Sequence, residues 1–310
     1  MVSKRLVAPF LALVTLAVPA SASAHPKSAT VALDYRLVLD QATRVLPGVS
    51  VRILDGDRDL RIGVRHGSLT VLGDLGEQML RIGPAGTWVN RASVTAQAER
   101  LTAAGDGWRH IGGSTFTWHD HRLAPPPYDG GQTGTVARFD IPATLNGSHV
   151  TVGGAFVRYR RPSPWVWLGA AVLVVAAAVA ATRLRPTVRS PLAVVLGALA
   201  GVAALTAFVT FGIADAPNGQ AAWVQLGLGF ALAAAVAVAL VRLDGERRIV
   251  LAGLVGAAAA VGNLGSLGVF RHGVVISVLP GAASRAVCAL AVAAGVASAV
   301  AVFASHEAAS

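Results

Sequence analysis

Residues 150–175 read VTVGGAFVRYRRPSPWVWLGAAVLVV, and the boundary inside them decides the fold. From Val150 to Arg160 the stretch reads as a β-strand. Arg160, Arg161 and Pro162 close it, and from Trp165 to Thr182 the chain is apolar and uncharged. A strand-rich domain thus gives way, with almost no linker, to a helix of the ~20 apolar residues needed to cross ~30 Å of hydrocarbon.

The two sides of this boundary differ in composition. Residues 25–162 carry 16 of the 26 Lys and Arg residues and 12 of the 16 Asp and Glu residues, in less than half of the 310-residue chain. Over the whole chain 54% of residues are hydrophobic and 14% charged, against roughly 45–50% and about 25% in ordinary soluble domains. With a mean hydropathy of +0.59, this excludes a wholly soluble globule as well as collagen-like and disordered chains. The net charge of +10 divides into +2 before residue 25, +4 in the polar part and +4 in the apolar part. No segment is basic enough to hold nucleic acid by charge alone. Cys288 is the one cysteine and lies in an apolar run, so no intrachain disulfide forms.

Beyond Pro162 five apolar runs are expected to span a membrane: Trp165–Thr182, Pro191–Ile213, Ala221–Val241, Ile249–Phe270 and Arg285–Phe303. The transmembrane domain is accordingly read as residues 163–304, with a tail at 305–310. Arg183, Arg185 and Arg189 follow the first run, and Arg242, Arg247 and Arg248 the third. The positive-inside rule makes both of these loops cytoplasmic and puts the tail inside. Trp165, Trp167 and Trp223 fit an interfacial aromatic belt at the outer ends of their spans. Pro280 and Gly281 separate Val274–Leu279 from the fifth run, so Val274–Pro280 is read as an outer-leaflet or loop segment entering the helix through a kink. Gly197 with Gly201, and the glycines between Gly253 and Gly268, permit close packing of helices within the chain or in a helix-mediated oligomer. Asn263, His272 and Arg285 are the polar residues of this region; Arg285 is expected to snorkel and His272 to be solvated.

At the other end, Lys4 and Arg5, the apolar Leu6–Val18 and Ala22-Ser23-Ala24 have the order of a signal peptide, residues 1–24, with an uncleaved anchor as the alternative. Cleavage would make His25 the first residue of an exported domain, residues 25–162. In that domain Val49, Val51 and Ile53 alternate with polar residues, as do Leu60, Ile62 and Val64 after Asp55-Gly56-Asp57-Arg58, which is the pattern of a hairpin with one buried face. Further strands are expected at Thr30–Asp40, Leu69–Leu72, Gln78–Ile82, Ser114–Trp118, Thr135–Ile141 and Val150–Arg160, with helix only between Ala92 and Ala103. Seven to nine short strands imply an all-β antiparallel sandwich of immunoglobulin-like type, followed by the five-span α-helical bundle.

Six of the eight histidines fall in this domain, and Trp118-His119-Asp120-His121-Arg122 is its sharpest local feature. On a strand, His119 and His121 share one face and Asp120 takes the other. Two imidazoles on one face can hold a metal, and copper or zinc suits them. A mature His25 would chelate Cu(II) through its amine and Nδ1, with His119 or His121 as a third ligand. In the alternative, His119 and Asp120 hold a turn before Pro125-Pro126-Pro127, with Arg122 paired to Asp120. His66, His110 and His149 have no partner at informative spacing. No nucleophile elbow, metalloprotease helix or phosphate loop is present, so the expectation is a non-enzymatic protein.

Pro47-Gly48-Val49, Val51-Arg52-Ile53-Leu54-Asp55-Gly56-Asp57, Val71-Leu72-Gly73, Leu80-Arg81-Ile82-Gly83-Pro84, Gly86, Asn90-Arg91, Trp118–Arg122 and Ser277-Val278-Leu279-Pro280 occur in that order. In this the chain resembles a group of uncharacterised multi-span membrane proteins of GC-rich Gram-positive bacteria. The resemblance implies a signal peptide, an exported β domain bearing the W-H-D-H-R motif and a multi-helix tail, and it implies no chemistry. More loosely, the exported domain is similar to periplasmic copper-resistance carriers, small β sandwiches with a mature N-terminal histidine and a D-x-H element, where this chain has H-D-H. Together these readings predict a membrane protein whose exported domain binds a ligand, with Cu(II) the most concrete one. An envelope scaffold or accessory subunit that binds another protein is the alternative.

Overall fold

A computed structural model describes residues 32–54, 59–127, 131–215 and 220–307. The chain divides into two compact units: Leu33–Arg160 forms one, and the chain from Arg161 onward belongs to the other. The signal-peptide reading, His25 and the Asp55–Arg58 turn lie outside the described residues.

The first unit is a large antiparallel β region. After β1 (Ala32–Leu33), which straddles the division and joins neither of this unit's sheets, its strands in chain order are β2 (Tyr35–Leu39), β3 (Val49–Leu54), β4 (Asp59–Val64), β5 (Leu69–Leu72), β6 (Gln78–Gly83), β7 (Gly86–Asn90), β8 (Trp108–Gly112), β9 (Thr115–His119), β10 (Gly134–Leu145) and β11 (Ser148–Arg158). Seven form a sheet in the order β2-β11-β10-β5-β6-β7-β8, and β3-β4-β9 form a second. Alternation in the sequence sets the register of the expected hairpin: Val49 faces Val64, Val51 faces Ile62 and Ile53 faces Leu60. Leu60, Ile62 and Trp118 from the small sheet share one core with Leu69, Val71, Leu80, Ile82, Val89, Ile141 and Val152 from the large one.

The longest hairpin, β10 with β11, turns at Asn146-Gly147, where both residues have positive φ, 51° and 86°. A two-residue turn of that hand matches the twist of its strands, and Asn-Gly is the pair best able to adopt it. The sequence reading placed no strand at β7 or β8. Both open at glycine-rich turns, and β8 exposes Arg109 and His110, so neither shows the alternation of a half-buried strand. Two short helices interrupt the strands, α1 (Gln41–Arg44) and α2 (Val94–Ala98), the second inside the window expected to be helical.

The second unit is helical: α3 (Pro164–Leu184), α4 (Arg189–Asp215), α5 (Gln220–Arg242), α6 (Gly245–Gly262) and α7 (Gly281–Glu307), with a 3-10 segment at Leu264–Phe270. Three stretches are long and apolar enough to cross a membrane, Pro164–Leu184, Pro186–Ala214 and Gly281–Ser305. A fourth span is made if α6 and Leu264–Phe270, bent by 54° at Asn263, count as one. Within α5 the stretch Leu226–Arg242 is a shorter apolar helix.

Close approach in this unit depends on residues without bulk. A Cβ added to Gly197 would stand 2.3 Å from the Ala252 carbonyl oxygen, and one added to Gly295 would stand 2.3 Å from that of Gly256. The core between the helices is mostly alanine, with Ala200, Ala294 and Ala297 fully buried. Ser298 ties three helices together, its hydroxyl donating to the carbonyls of Ala193, at 2.9 Å, and Ala252, at 3.4 Å. Arg285 is 9% exposed, and its guanidinium donates to the carbonyls of Val269, His272 and Gly273.

Candidate functional site

The Trp118–Arg122 motif sits where β9 ends. Alternation along the strand buries Trp118 and Asp120 and exposes His119 and His121, the period-two pattern expected. Asp120 is 1% exposed and is fully engaged. Its Oδ2 accepts from Trp118 Nε1 at 3.1 Å and from Arg122 Nη2 at 2.7 Å. Its Oδ1 accepts from Arg122 Nε at 2.8 Å and from the Arg122 amide at 3.1 Å. The second of these amide and guanidinium bonds caps the single 3-10 turn His121–Leu123 that ends the strand. The remaining guanidinium nitrogen, Arg122 Nη1, donates to the Leu72 carbonyl at 2.9 Å. Burial works to raise the Asp120 pKa, but the hydrogen bonds and charge of Arg122 outweigh it and hold the carboxyl below its usual range. This forked pair is the Asp120–Arg122 contact that the structural alternative anticipated.

His121 faces outward between two carboxylates. Its Nδ1 meets Glu99 Oε1 in a very short contact, its Nε2 lies 2.9 Å from Asp74 Oδ2, and its amide donates to Glu99 Oε1 at 2.8 Å. The hydrogen bond to Glu99 is the largest influence on the imidazole and raises its pKa; burial opposes this, and the charges of Asp74, Glu99 and Asp120 add to it. His119 has a separate partner, with Nδ1 3.5 Å from Asp59 Oδ1. The motif's two histidines thus share an exposed side but serve different carboxylates.

Short-range chemistry holds those carboxylates in place. Ser93 caps α2 by accepting from the Ala96 amide at 3.1 Å and donates to Glu77 Oε1 at 2.8 Å. Glu77 also accepts from the amides of Thr95, at 3.1 Å, and Leu75, at 3.1 Å. Burial would lift the Glu77 pKa, yet the bonds from Thr95 and Ser93 bring it down to about 2. Thr95 Oγ1 in turn accepts from the Asp74 amide at 2.9 Å. The β5–β6 turn and α2 are therefore laced together, which fixes Asp74 on one side of His121 and Glu99, at the end of α2, on the other.

Among the described residues, Glu99, Asp120 and His121 form a group whose potential ligand atoms all lie within 4.8 Å of one another. Because Arg122 and Trp118 occupy the Asp120 oxygens, the ligand atoms left are those of His121 and Asp74, which face solvent, and of Glu99, whose side chain is only 7% exposed. Glu99 and Asp74 had no signal in the sequence: they lie 22 and 47 positions before His121, and neither belongs to a recognisable motif. His66, His110 and His149 lie outside this cluster; His110 instead packs edge-on against Trp88, with ring centroids 5.3 Å apart. No protein-family model, curated protein or solved structure matches the chain.

Proposed function

We propose that the chain is an integral membrane protein that carries an immunoglobulin-like exported β sandwich above five membrane spans and binds a metal cation beside Trp118–Arg122, with Cu(II) the leading candidate. The observation that carries this reading is the outward-facing His121 imidazole with Glu99 Oε1 and Asp74 Oδ2 on its two nitrogens. A mixed imidazole and carboxylate set suits a borderline divalent ion such as Cu(II) or zinc. His25, at a mature N-terminus, and His119 would supply further nitrogen ligands. In this arrangement the C-terminal tail is cytoplasmic, the helices are lipid-embedded, and the protein is not an enzyme.

A second reading has its own observation. Both oxygens of Asp120 and both ring nitrogens of His121 already have protein partners, which suits a brace in a scaffold or accessory subunit that binds an envelope protein. One experiment separates the two. Full-length protein, produced with its leader and purified in detergent, is titrated with Cu(II) and followed by electron paramagnetic resonance. On the metal reading, nitrogen hyperfine structure appears at one equivalent, and His121→Ala and His25→Ala each weaken binding by at least about tenfold. Equal affinity in wild type and both variants overturns it in favour of the scaffold.

A further inference from the structure

We propose that one end of the helical unit, where the α3–α4 and α5–α6 loops meet the close of α7, binds anionic phospholipid headgroups through Arg183, Arg185, Arg242 and Arg247. The inference rests on the helices lying in lipid. It does not depend on the metal reading, on the number of spans or on which side of the membrane this end faces.

Contacts between the helices bring the two loops together. A Cβ added to Gly197 would meet Ala252, and one added to Gly201 would meet Val255, so α4 and α6 run side by side in the same direction. Gly253 lies against Val302 and Gly295 against Ala260, so α7 runs the opposite way. The Ser298 hydroxyl, on α7, reaches the carbonyls of both Ala193 and Ala252. Arg189 and Arg248 each stand four positions before those residues, and both therefore lie toward the close of α7. Arg189 makes the link directly, since its Nη1 donates to the Ala304 carbonyl at 3.1 Å and its Nε to the Thr182 carbonyl, in α3, at 2.8 Å.

Each loop divides its arginines in the same way. One is used on helix ends: Arg189 in the first loop, and in the second Arg248, whose Nε donates to the Leu243 carbonyl at 2.7 Å and Nη2 to Asp244 Oδ1 at 3.1 Å. The other two, Arg183 with Arg185 and Arg242 with Arg247, are exposed, and their side chains have no hydrogen-bond or ion-pair partner among the described residues. Asp244, Glu246 and Glu307 are the acids of this end, and Asp244 already serves Arg248, so a positive surplus remains.

The apolar side chains set among these arginines favour a lipid over other anions. Leu184, between Arg183 and Arg185, is 80% exposed; Val241, beside Arg242, is 76% exposed; Phe303, near the close of α7, is 72% exposed. A free phosphate or an acidic peptide would pair with the guanidinium groups and leave these three side chains in water. A lipid leaflet meets both needs, its acyl chains covering Leu184, Val241 and Phe303 while its phosphates accept from the planar donor forks of the arginines. Clusters of four or more basic residues at the ends of membrane helices favour acidic lipids for this reason.

The test uses full-length protein. In liposomes, wild type should resist extraction by alkaline carbonate; its release would overturn the lipid-embedded reading itself, and this proposal with it. For protein that stays, native mass spectrometry in detergent compares binding of phosphatidylglycerol with that of phosphatidylcholine. Phosphatidylglycerol should bind at least about tenfold more tightly, and the preference should fall at high salt. Arg183→Gln with Arg185→Gln, and Arg242→Gln with Arg247→Gln, should each reduce it severalfold, and the four changes together should abolish it. Arg271→Gln, beyond the other end of α6, should leave it unchanged. Melting temperatures of all variants should stay near that of wild type, because the replaced side chains hold nothing in the fold, and this separates lost lipid from misfolding. Equal binding of the two lipids by wild type, an undiminished preference in the folded fourfold variant, or an equal loss in Arg271→Gln overturns the proposal. Displacement of phosphatidylglycerol by inorganic phosphate would assign the arginines to a free anion and overturn it as well.

Discussion

Two arginines, the partly buried Arg122 and the buried Arg285, show different ways of holding a guanidinium in the two units of this chain. Arg122, in the β unit, is held by a carboxylate in a forked, doubly bonded pair with Asp120. Arg285, in the helical unit, is held by three backbone carbonyls and no acid among the described residues. The apolar cores differ in the same way. The β unit buries large side chains such as Leu60, Ile62, Met79 and Ile82, whereas the helical unit buries alanine and brings glycine against backbone. A domain that folds from water gains from removing bulky apolar surface. Helices whose outer faces are apolar gain little that way and depend on close contact and interhelical hydrogen bonds. Ser298, bonded to two neighbouring helices, is an example of the second kind.

The largest effect is expected where the β unit concentrates its charge. Asp120→Ala takes the forked partner from the mostly buried Arg122 guanidinium and leaves Asp74 Oδ1, at 3.9 Å, as its remaining carboxylate; it should cost about 3 kcal/mol, seen as a lower melting temperature of full-length protein in detergent. Replacing both partners, Asp120→Leu with Arg122→Met, should recover most of that loss, because apolar groups of similar size can substitute for a buried pair. A single variant as stable as wild type would show that the pair is not part of the framework.

The helical unit should respond to volume instead. Gly256→Ala would put a Cβ 2.9 Å from that of Ser298 and 3.1 Å from the Gly295 carbonyl oxygen, whereas Gly169→Ala meets open space. Crowding of this kind costs about 1–3 kcal/mol, while the second change should be neutral or mildly stabilising through helix propensity, by up to about 1 kcal/mol. Equal melting temperatures for the two variants would contradict the close approach of α6 and α7.

The smallest effect belongs to the outward-facing His121. Its folded pKa lies above the ordinary 6.5 because Glu99 and Asp74 favour the imidazolium. The resulting stabilisation is complete below about pH 6.5 and fades as pH rises through the higher folded value. With the side chain half exposed, the contribution should stay below about 1 kcal/mol. Melting temperatures of wild type and His121→Gln from pH 5.5 to 9 should therefore converge as pH increases; parallel curves would remove the histidine from the network.

Much of the architecture was legible because it follows from local periodicity. The Val49–Val64 hairpin was readable from alternation, and the long helices from uncharged runs, since both patterns are repeated over many residues. β7 and β8 were not, because glycine-rich turns and exposed polar residues hide their alternation. The site was half legible. Trp118, Asp120 and Arg122 are neighbours in sequence, and period two already puts Asp120 opposite the histidines. Glu99 and Asp74 reach His121 through the α2 cap and the β5–β6 turn, contacts between segments that no spacing rule connects.

The sequence by itself determined the division of the chain into a charged β half and an apolar helical half, since that depends on composition, and composition is local. Only tertiary structure decided which carboxylate each charged group meets. It paired His119 with Asp59 and His121 with Glu99 and Asp74, and it turned Arg285 inward to backbone carbonyls. The physical reason is that electrostatic partners are chosen by distance through space, and that distance is set by how the strands and helices pack rather than by their order along the chain.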